Sequence, residues 1–229
     1  VMIAAGANQN VGETRMDLIY KNNNIFRDII KQVMQSGFQG IFIIATNPVD
    51  IMTYVTWKYS KLNSNRVIGT GTTLDSSRLR HEIGQELNIS PKNVHAYVLG
   101  EHGDTEFVPW SNATIGLTDI SEFIEEEKRK NIEDKVRNMA YDIIKKKGNT
   151  SYGIGMSLTR ITNAILGNEN TILTVSSYDN ENDVFIGEPT IINNEGAFKK
   201  INLNLTNEEQ EKFNNSVKIL KDAIEKIKE

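Results

Sequence analysis

The run Gly40-Ile41-Phe42-Ile43-Ile44-Ala45 constrains the fold more than any other stretch of the sequence. Its unbroken apolar character leaves no face for water. It therefore reads as a strand covered on both sides, the situation of a parallel sheet with helices above and below. The run stops at Thr46-Asn47-Pro48-Val49-Asp50. Pro48 can open a helix there, and Asn47 is left at the carboxyl end of the strand, the edge where open α/β sheets bind ligands.

The neighbouring segments repeat the alternation of strand and helix. Val1 to Ala5 reads as the end of another buried strand, as though the chain begins inside a fold. A glycine-bracketed polar loop follows, Gly6 to Arg15, which reads as a lid with Arg15 at its far hinge. From Asp17 to Ser36, Leu18, Ile19, Ile25, Phe26, Ile29, Ile30, Val33 and Met34 recur at helical spacing until Gly37 ends the helix. A short strand from Arg66 to Gly69 and a helix from Thr73 to Leu87 complete an α/β half.

After residue 90 the pattern changes. Val94 to Leu99 reads as a strand, Asp119 to Lys147 as a long helix, and Thr150 to Leu166 as another. On the last of these, Ile154, Met156, Leu158, Ile161 and Ile165 are expected on the buried side. Runs at Ile172–Ser177, Val184–Gly187, Pro189–Ile192 and Phe198–Leu203 predict an antiparallel meander. Thr206 and Glu209 form a capping box for a final helix with the stripe Phe213, Val217, Leu220, Ile224 and Ile227. The expected architecture is therefore α/β: a doubly wound parallel sheet remnant over residues 1–70, then an α+β unit over residues 71–229 with a meander and a C-terminal helix.

Composition narrows the chemistry. With 30 acidic against 26 basic residues in 229, a net charge of -4 and no basic block, a nucleic-acid partner is not expected. The absence of cysteine removes thiolate catalysis and cysteine-ligated metal. None of His81, His95 and His102 stands four residues from another, so a metal site is not expected. No stretch approaches the roughly 18 apolar residues of a membrane helix, and no signal peptide is visible at the first residues. The expectation is a cytoplasmic protein acting on a small molecule.

Gly100-Glu101-His102-Gly103-Asp104 is the most informative polar loop. A histidine between two acids and two glycines, at the end of an apolar run, suits proton transfer near neutral pH. Asp75 and Arg78, three apart on one helix, fit either a surface ion pair or a site.

Taken together, GANQNVGETR, TNPVD, LDSSRLR and GEHGD resemble, in order and separation, the L-2-hydroxy-acid dehydrogenases, specifically the bacterial L-lactate dehydrogenases. The resemblance covers essentially the whole chain. It implies NAD as cofactor, held at Gly6, Ala45 and Asn47, and pyruvate and L-lactate as substrates. It makes His102 the proton donor and acceptor, Asp75 its partner and Arg15 the residue that polarises the substrate carbonyl. Arg78 would grip the substrate carboxylate, Asn47 would contact the carbonyl and the ribose, and Thr150 would form a pocket wall, a role compatible with its hydroxyl also capping the helix.

Gln9 resembles the lactate enzymes, where malate dehydrogenases of the same family carry an arginine. Arg80 and His95 match positions that bind fructose 1,6-bisphosphate across a subunit interface, and the family assembles as a homotetramer. One departure is expected to matter: no GxGxxG turn occurs in the 229 residues, so the sequence reads as lacking the N-terminal glycine-rich half of the cofactor domain. Malate dehydrogenase, or an inactive assembly or effector-binding module, are the alternatives.

Overall fold

The computed structural model describes residues 1–7, 15–148 and 150–228, with the side chains of residues 15–17 and 228 left aside. Its first elements alternate as expected: β1 (Met2–Ile3), α1 (Arg15–Gln35), β2 (Phe42–Ile44), α2 (Val49–Ser60), β3 (Val67–Gly69) and α3 (Thr73–Leu87). Then come the short strands β4 (Val94–His95), β5 (Thr114–Ile115) and β6 (Thr118–Asp119), and the helices α4 (Glu126–Lys147) and α5 (Ser151–Leu166). The meander β7 (Thr171–Asp179), β8 (Val184–Asn193) and β9 (Gly196–Lys200) precedes α6 (Asn207–Lys228).

One six-stranded sheet runs in the order β1-β2-β3-β7-β8-β9. β1, β2 and β3 pair in parallel, and the meander joins them antiparallel where Gly69 faces Ser176. The unbroken apolar run is explained by this layering. Phe42 and Ile44 enter the core shared with α1, α2 and α6, while Ile43 points into the opposite core with Ile161 and Ile165 of α5. A third core, around Leu79, Ile83, Val98, Ile132 and Val136, binds α3 to α4 beside the small sheet β4-β5-β6.

At Gly71 the chain turns with φ +50° against the backbone of Ser176, where a side chain would collide. The fragment Gly69-Thr70-Gly71 is thus the turn from β3 into α3, next to the strand that carries the meander.

Several predicted elements are corrected. The run Val94–Leu99 is a strand only at its first two residues. Beyond them side chains of α3 take the backbone groups: Ser76 Oγ accepts the Val98 N–H at 2.8 Å, and Thr72 Oγ1 donates to the Val98 carbonyl at 2.6 Å. The helix expected from Asp119 starts at Glu126, because the Asp119 carboxylate accepts from Ser121 N at 2.7 Å and caps a separate short turn. Met156 is 69% exposed, and the buried face of α5 is Ser157, Ile161, Ala164 and Ile165.

The break expected before Pro189 is absent, and the last strand ends at Lys200 rather than Leu203. The Pro189 carbonyl accepts Ile201 N at 2.8 Å on the β9 side. Its nitrogen faces that same side, so the missing N–H costs the β7 ladder nothing.

The capping box of α6 forms and reaches further than the sequence suggests. Glu209 N donates to Thr206 Oγ1 at 3.3 Å, and Thr206 N donates to Glu209 Oε2 at 2.9 Å. The same carboxylate accepts Ser111 N at 3.0 Å and Ser111 Oγ at 2.5 Å. Burial opposes its charge, but these bonds outweigh burial and hold Glu209 below its ordinary value. Its stabilisation is therefore present above the unfolded pKa and lost as pH falls through the depressed folded value. In urea unfolding at pH 7, Thr206→Ala is expected to cost about 1 kcal/mol and Glu209→Ala about 2–3 kcal/mol. The gap should narrow in acid, and equal costs would show that the Ser111 bonds contribute nothing.

Candidate active site

The site begins with α3. Its first turn lies where β3 ends, and the i,i+3 spacing brings Arg78 Nη1 to Asp75 Oδ1 at 2.9 Å. This is not a surface pair: the side chains are 10% and 3% exposed. The other Asp75 oxygen faces the GEHGD loop, with Oδ2 3.0 Å from His102 Nδ1. The approach is an ion-pair contact rather than an aligned hydrogen bond, since neither atom has a partner of good hydrogen-bond geometry. Glu106 Oε2 stands 3.7 Å from the same ring nitrogen.

Burial disfavours a charged imidazole. Asp75, and after it Glu106, outweigh burial and hold His102 well above its ordinary 6.5. Burial would likewise raise Asp75, but His102 and Arg78 together pull it below the usual carboxylate range.

The loop carrying His102 is pinned from beneath. Leu99 and Phe107 exchange backbone bonds across its neck, and Gly100 exchanges bonds with Gly187 of β8. Asp50, in the first turn of α2 and 2% exposed, accepts the His102 N–H at 2.8 Å and Ser176 Oγ at 2.5 Å. One carboxylate thus ties α2, β7 and the backbone of His102. Burial pushes it up to about 6, against the bonds from Ser176 and His102.

Asn47, exposed at the carboxyl end of β2, is also held. Asn22 of α1 donates to the Asn47 carbonyl at 3.1 Å and accepts from Ala7 N at 2.8 Å. Asn47, Pro48, Asp75, His102 and Glu106 line one cavity of about 360 Å³, closed on its apolar side by Ala140, Tyr141 and Ile144 of α4.

Of the residues singled out in the sequence, His102, Asp75 and Asn47 line this cavity, and Arg78 is joined to it through its pair with Asp75 rather than as a lining residue. Gly6 lies at the adjacent end of β1, and Ala45 donates to Ile3 O at 2.9 Å within the sheet. Gln9 lies outside the described residues, as does the side chain of Arg15. Thr150 stands at the N-cap of α5, but its hydroxyl makes no capping bond there. Arg80 sits 5.9 Å from the ring of Tyr97, two residues beyond the exposed His95.

Asp50 and Glu106 were not singled out. Asp50 could have been read from its place just inside a helix opened by Pro48. Glu106 had no periodicity to mark it.

Residues 1–69 match the lactate/malate dehydrogenase NAD binding domain, and residues 72–229 match the lactate/malate dehydrogenase alpha/beta C-terminal domain. The class is thus an NAD-dependent dehydrogenase of small hydroxy acids.

Among curated proteins, L-lactate dehydrogenase 2 of Bacillus anthracis is 52% identical over 98% of this chain and 74% of its own length. L-lactate dehydrogenase of Bacillus pumilus is 53% identical over the same shares. A crystal structure of a lactate dehydrogenase from a Medee basin deep-sea metagenome superposes with TM-score 0.97 at 46% identity, covering 100% of this chain and 76% of that one. The minor L-lactate dehydrogenase of Enterococcus mundtii, in its ligands-bound form, gives 0.94 at 47% identity over 99% and 75%. The chain belongs to the lactate/malate dehydrogenase family, in its L-lactate dehydrogenase branch.

Its cofactor is NAD. At Gly6 a Cβ would meet Thr46 Cγ2 at 2.7 Å, so the chain after β1 packs against Thr46 with no room for a side chain.

The Asp50 bonds yield a prediction with a definite sign. A carboxylate raised from 3.8 to about 6 penalises the fold as it ionises, so its contribution declines as pH rises through that window. Asp50→Asn keeps an acceptor for the His102 N–H without the charge. Its stability relative to wild type is expected to improve from pH 4.5 to 7.5. Asp50→Leu, which loses the charge and the acceptor alike, should follow the same trend with pH while remaining roughly 2–4 kcal/mol less stable than Asp50→Asn at both pH values. Equal losses for Asn and Leu in chemical unfolding would contradict this role.

Proposed function

We propose that this protein interconverts pyruvate and L-lactate, with His102 giving a proton to the pyruvate carbonyl oxygen and recovering it from lactate. The observation that carries the reading is the contact of His102 Nδ1 with Asp75 at 3.0 Å, in a chain where Asp75 also holds Arg78 at 2.9 Å. A charged imidazole with its Nδ1 edge against carboxylates has Nε2 left for substrate, and charge is what proton donation requires. When bound, NAD(H) supplies or accepts the hydride. Gly6, Ala45 and Asn47 are the residues proposed to hold its nicotinamide end.

Arg78 offers a planar fork to the substrate carboxylate while its other side pairs with Asp75. Arg15 is assigned the polarisation of the carbonyl, and Thr150 a wall of the pocket. Gln9 sets the choice of keto acid: a neutral amide leaves the second carboxylate of oxaloacetate unpaired, which a closed site penalises. Arg80 and His95 are proposed to bind fructose 1,6-bisphosphate in a cytoplasmic homotetramer. Support for that role is local: Arg80 of α3 lies against Tyr97, which is two residues from His95.

NADH consumption tests the assignment. The protein is expected to reduce pyruvate with a higher kcat/KM than oxaloacetate, and to respond to fructose 1,6-bisphosphate unless Arg80 and His95 are replaced by Ala. His102→Gln should lower kcat by roughly 10²–10⁴-fold. A preference for oxaloacetate would assign the malate reaction instead, and an undiminished His102→Gln rate would remove His102 from proton transfer.

A further inference from the structure

Two carboxylates crowd one ring nitrogen in this site. His102 Nδ1 lies 3.0 Å from Asp75 Oδ2 and 3.7 Å from Glu106 Oε2, and among the described residues the ion pairs of His102 are all made through Nδ1. Oxygens of both acids and the ring nitrogen fall within 4.8 Å of one another. The carboxylate side chains are 3% and 7% exposed, so water does little to separate their charges. A single N–H can serve one oxygen at a time. The second acid must then lean on the positive charge of the ring or carry a proton itself.

The surrounding charges leave most of that task to the imidazole. Arg78 of α3 is engaged with Asp75. Arg137 of α4 directs its guanidinium to Glu133, Asp134 and the backbone carbonyl of Glu106, at 3.1, 3.2 and 3.2 Å. Asp104 and Glu101, on the histidine's own loop, and Asp50 of α2 add only negative charge.

We propose that Glu106 is a positioning residue for His102: as a second carboxylate on the Nδ1 edge, it fixes the ring between α3 and its own loop and supports the imidazolium that faces the pocket. The catalytic meaning of this role rests on His102 being the proton donor, but the contact itself does not. Burial pushes Glu106 up to about 7, Asp75 pushes the same way, and His102 and Arg137 oppose them. Glu106 thus changes charge in the neutral range. Once ionised it strengthens the hold of His102 on its proton, so the ring stays charged to higher pH than Asp75 alone would allow.

The test is an NMR titration of the histidine ring Cε1–Hε1 signals in the full chain, with His102 identified by the signal missing from His102→Gln. In Glu106→Gln the His102 midpoint is expected to fall by about one pH unit, while His81 and His95 stay put. Glu106→Asp should recover part of the shift.

Should Glu106→Gln fail to fold, the wild-type curve still decides. It should show a second inflection in the neutral range, matched by the Glu106 side-chain carboxyl signal. An unmoved midpoint in a folded variant, or a wild-type His102 ring signal that does not respond where Glu106 titrates, overturns the proposal. A midpoint that moves as expected while His102→Gln leaves pyruvate reduction intact would keep this inference and remove the catalytic reading.

Discussion

A buried carboxylate without partners would neutralise or unfold its surroundings, and Asp75 is buried. Its two oxygens face Arg78, one turn along the same helix, and His102, on a loop that arrives from a different part of the chain. Removing one member of such a chain strands a charge, at a cost of roughly 3–5 kcal/mol for buried pairs. The site is therefore stable only as a whole. The same arrangement that satisfies Asp75 keeps the imidazole charged and turned by its Nδ1 edge, so the packing requirement and the chemical one coincide.

What brings the members together is the sheet. β2 ends at Ile44, shortly before Asn47, and β3 ends at Gly69, shortly before α3 begins, so Asn47 and Asp75 follow from neighbouring strands. The meander is joined to those strands at Gly69 and Ser176, and Ser176 passes a hydrogen bond to Asp50, which holds the backbone of His102. Position is thus set through backbone and buried polar contacts, while the apolar wall of the cavity comes from α4. In the proposed reaction the polar groups would thus be rigid, with the apolar wall on a separate helix.

Much of this was legible because local patterns and tertiary needs agreed. The run at Ile41–Ala45, the helix Thr73–Leu87, the capping box at Thr206 and Glu209, and the stripe from Phe213 to Ile224 all follow from side-chain spacing, and the folded chain uses them as read. Misreadings arose where a partner distant in sequence took over. Val94–Leu99 has strand composition, but Ser76 and Thr72 supply the bonds a neighbouring strand would have made.

The ion pair of Asp75 with Arg78 was visible from spacing, but its burial was not. Nothing in either helix turn says that His102 will close over it. Asp50 and Glu106 escaped notice for the same reason: their roles depend on contacts 52 residues away and across a turn of irregular chain.

The most direct measurement of the central claim is the ionisation of His102 in the unaltered chain and in Asp75→Asn. If the buried Asp75 holds the imidazole charged, the ring titrates well above 6.5 in the first. In the second its midpoint falls further than any loss of Glu106 can bring it, because burial then acts against the charge with its main opponent removed. A His102 that titrates near 6.5 in the intact chain, or one indifferent to the loss of the Asp75 charge, would contradict it.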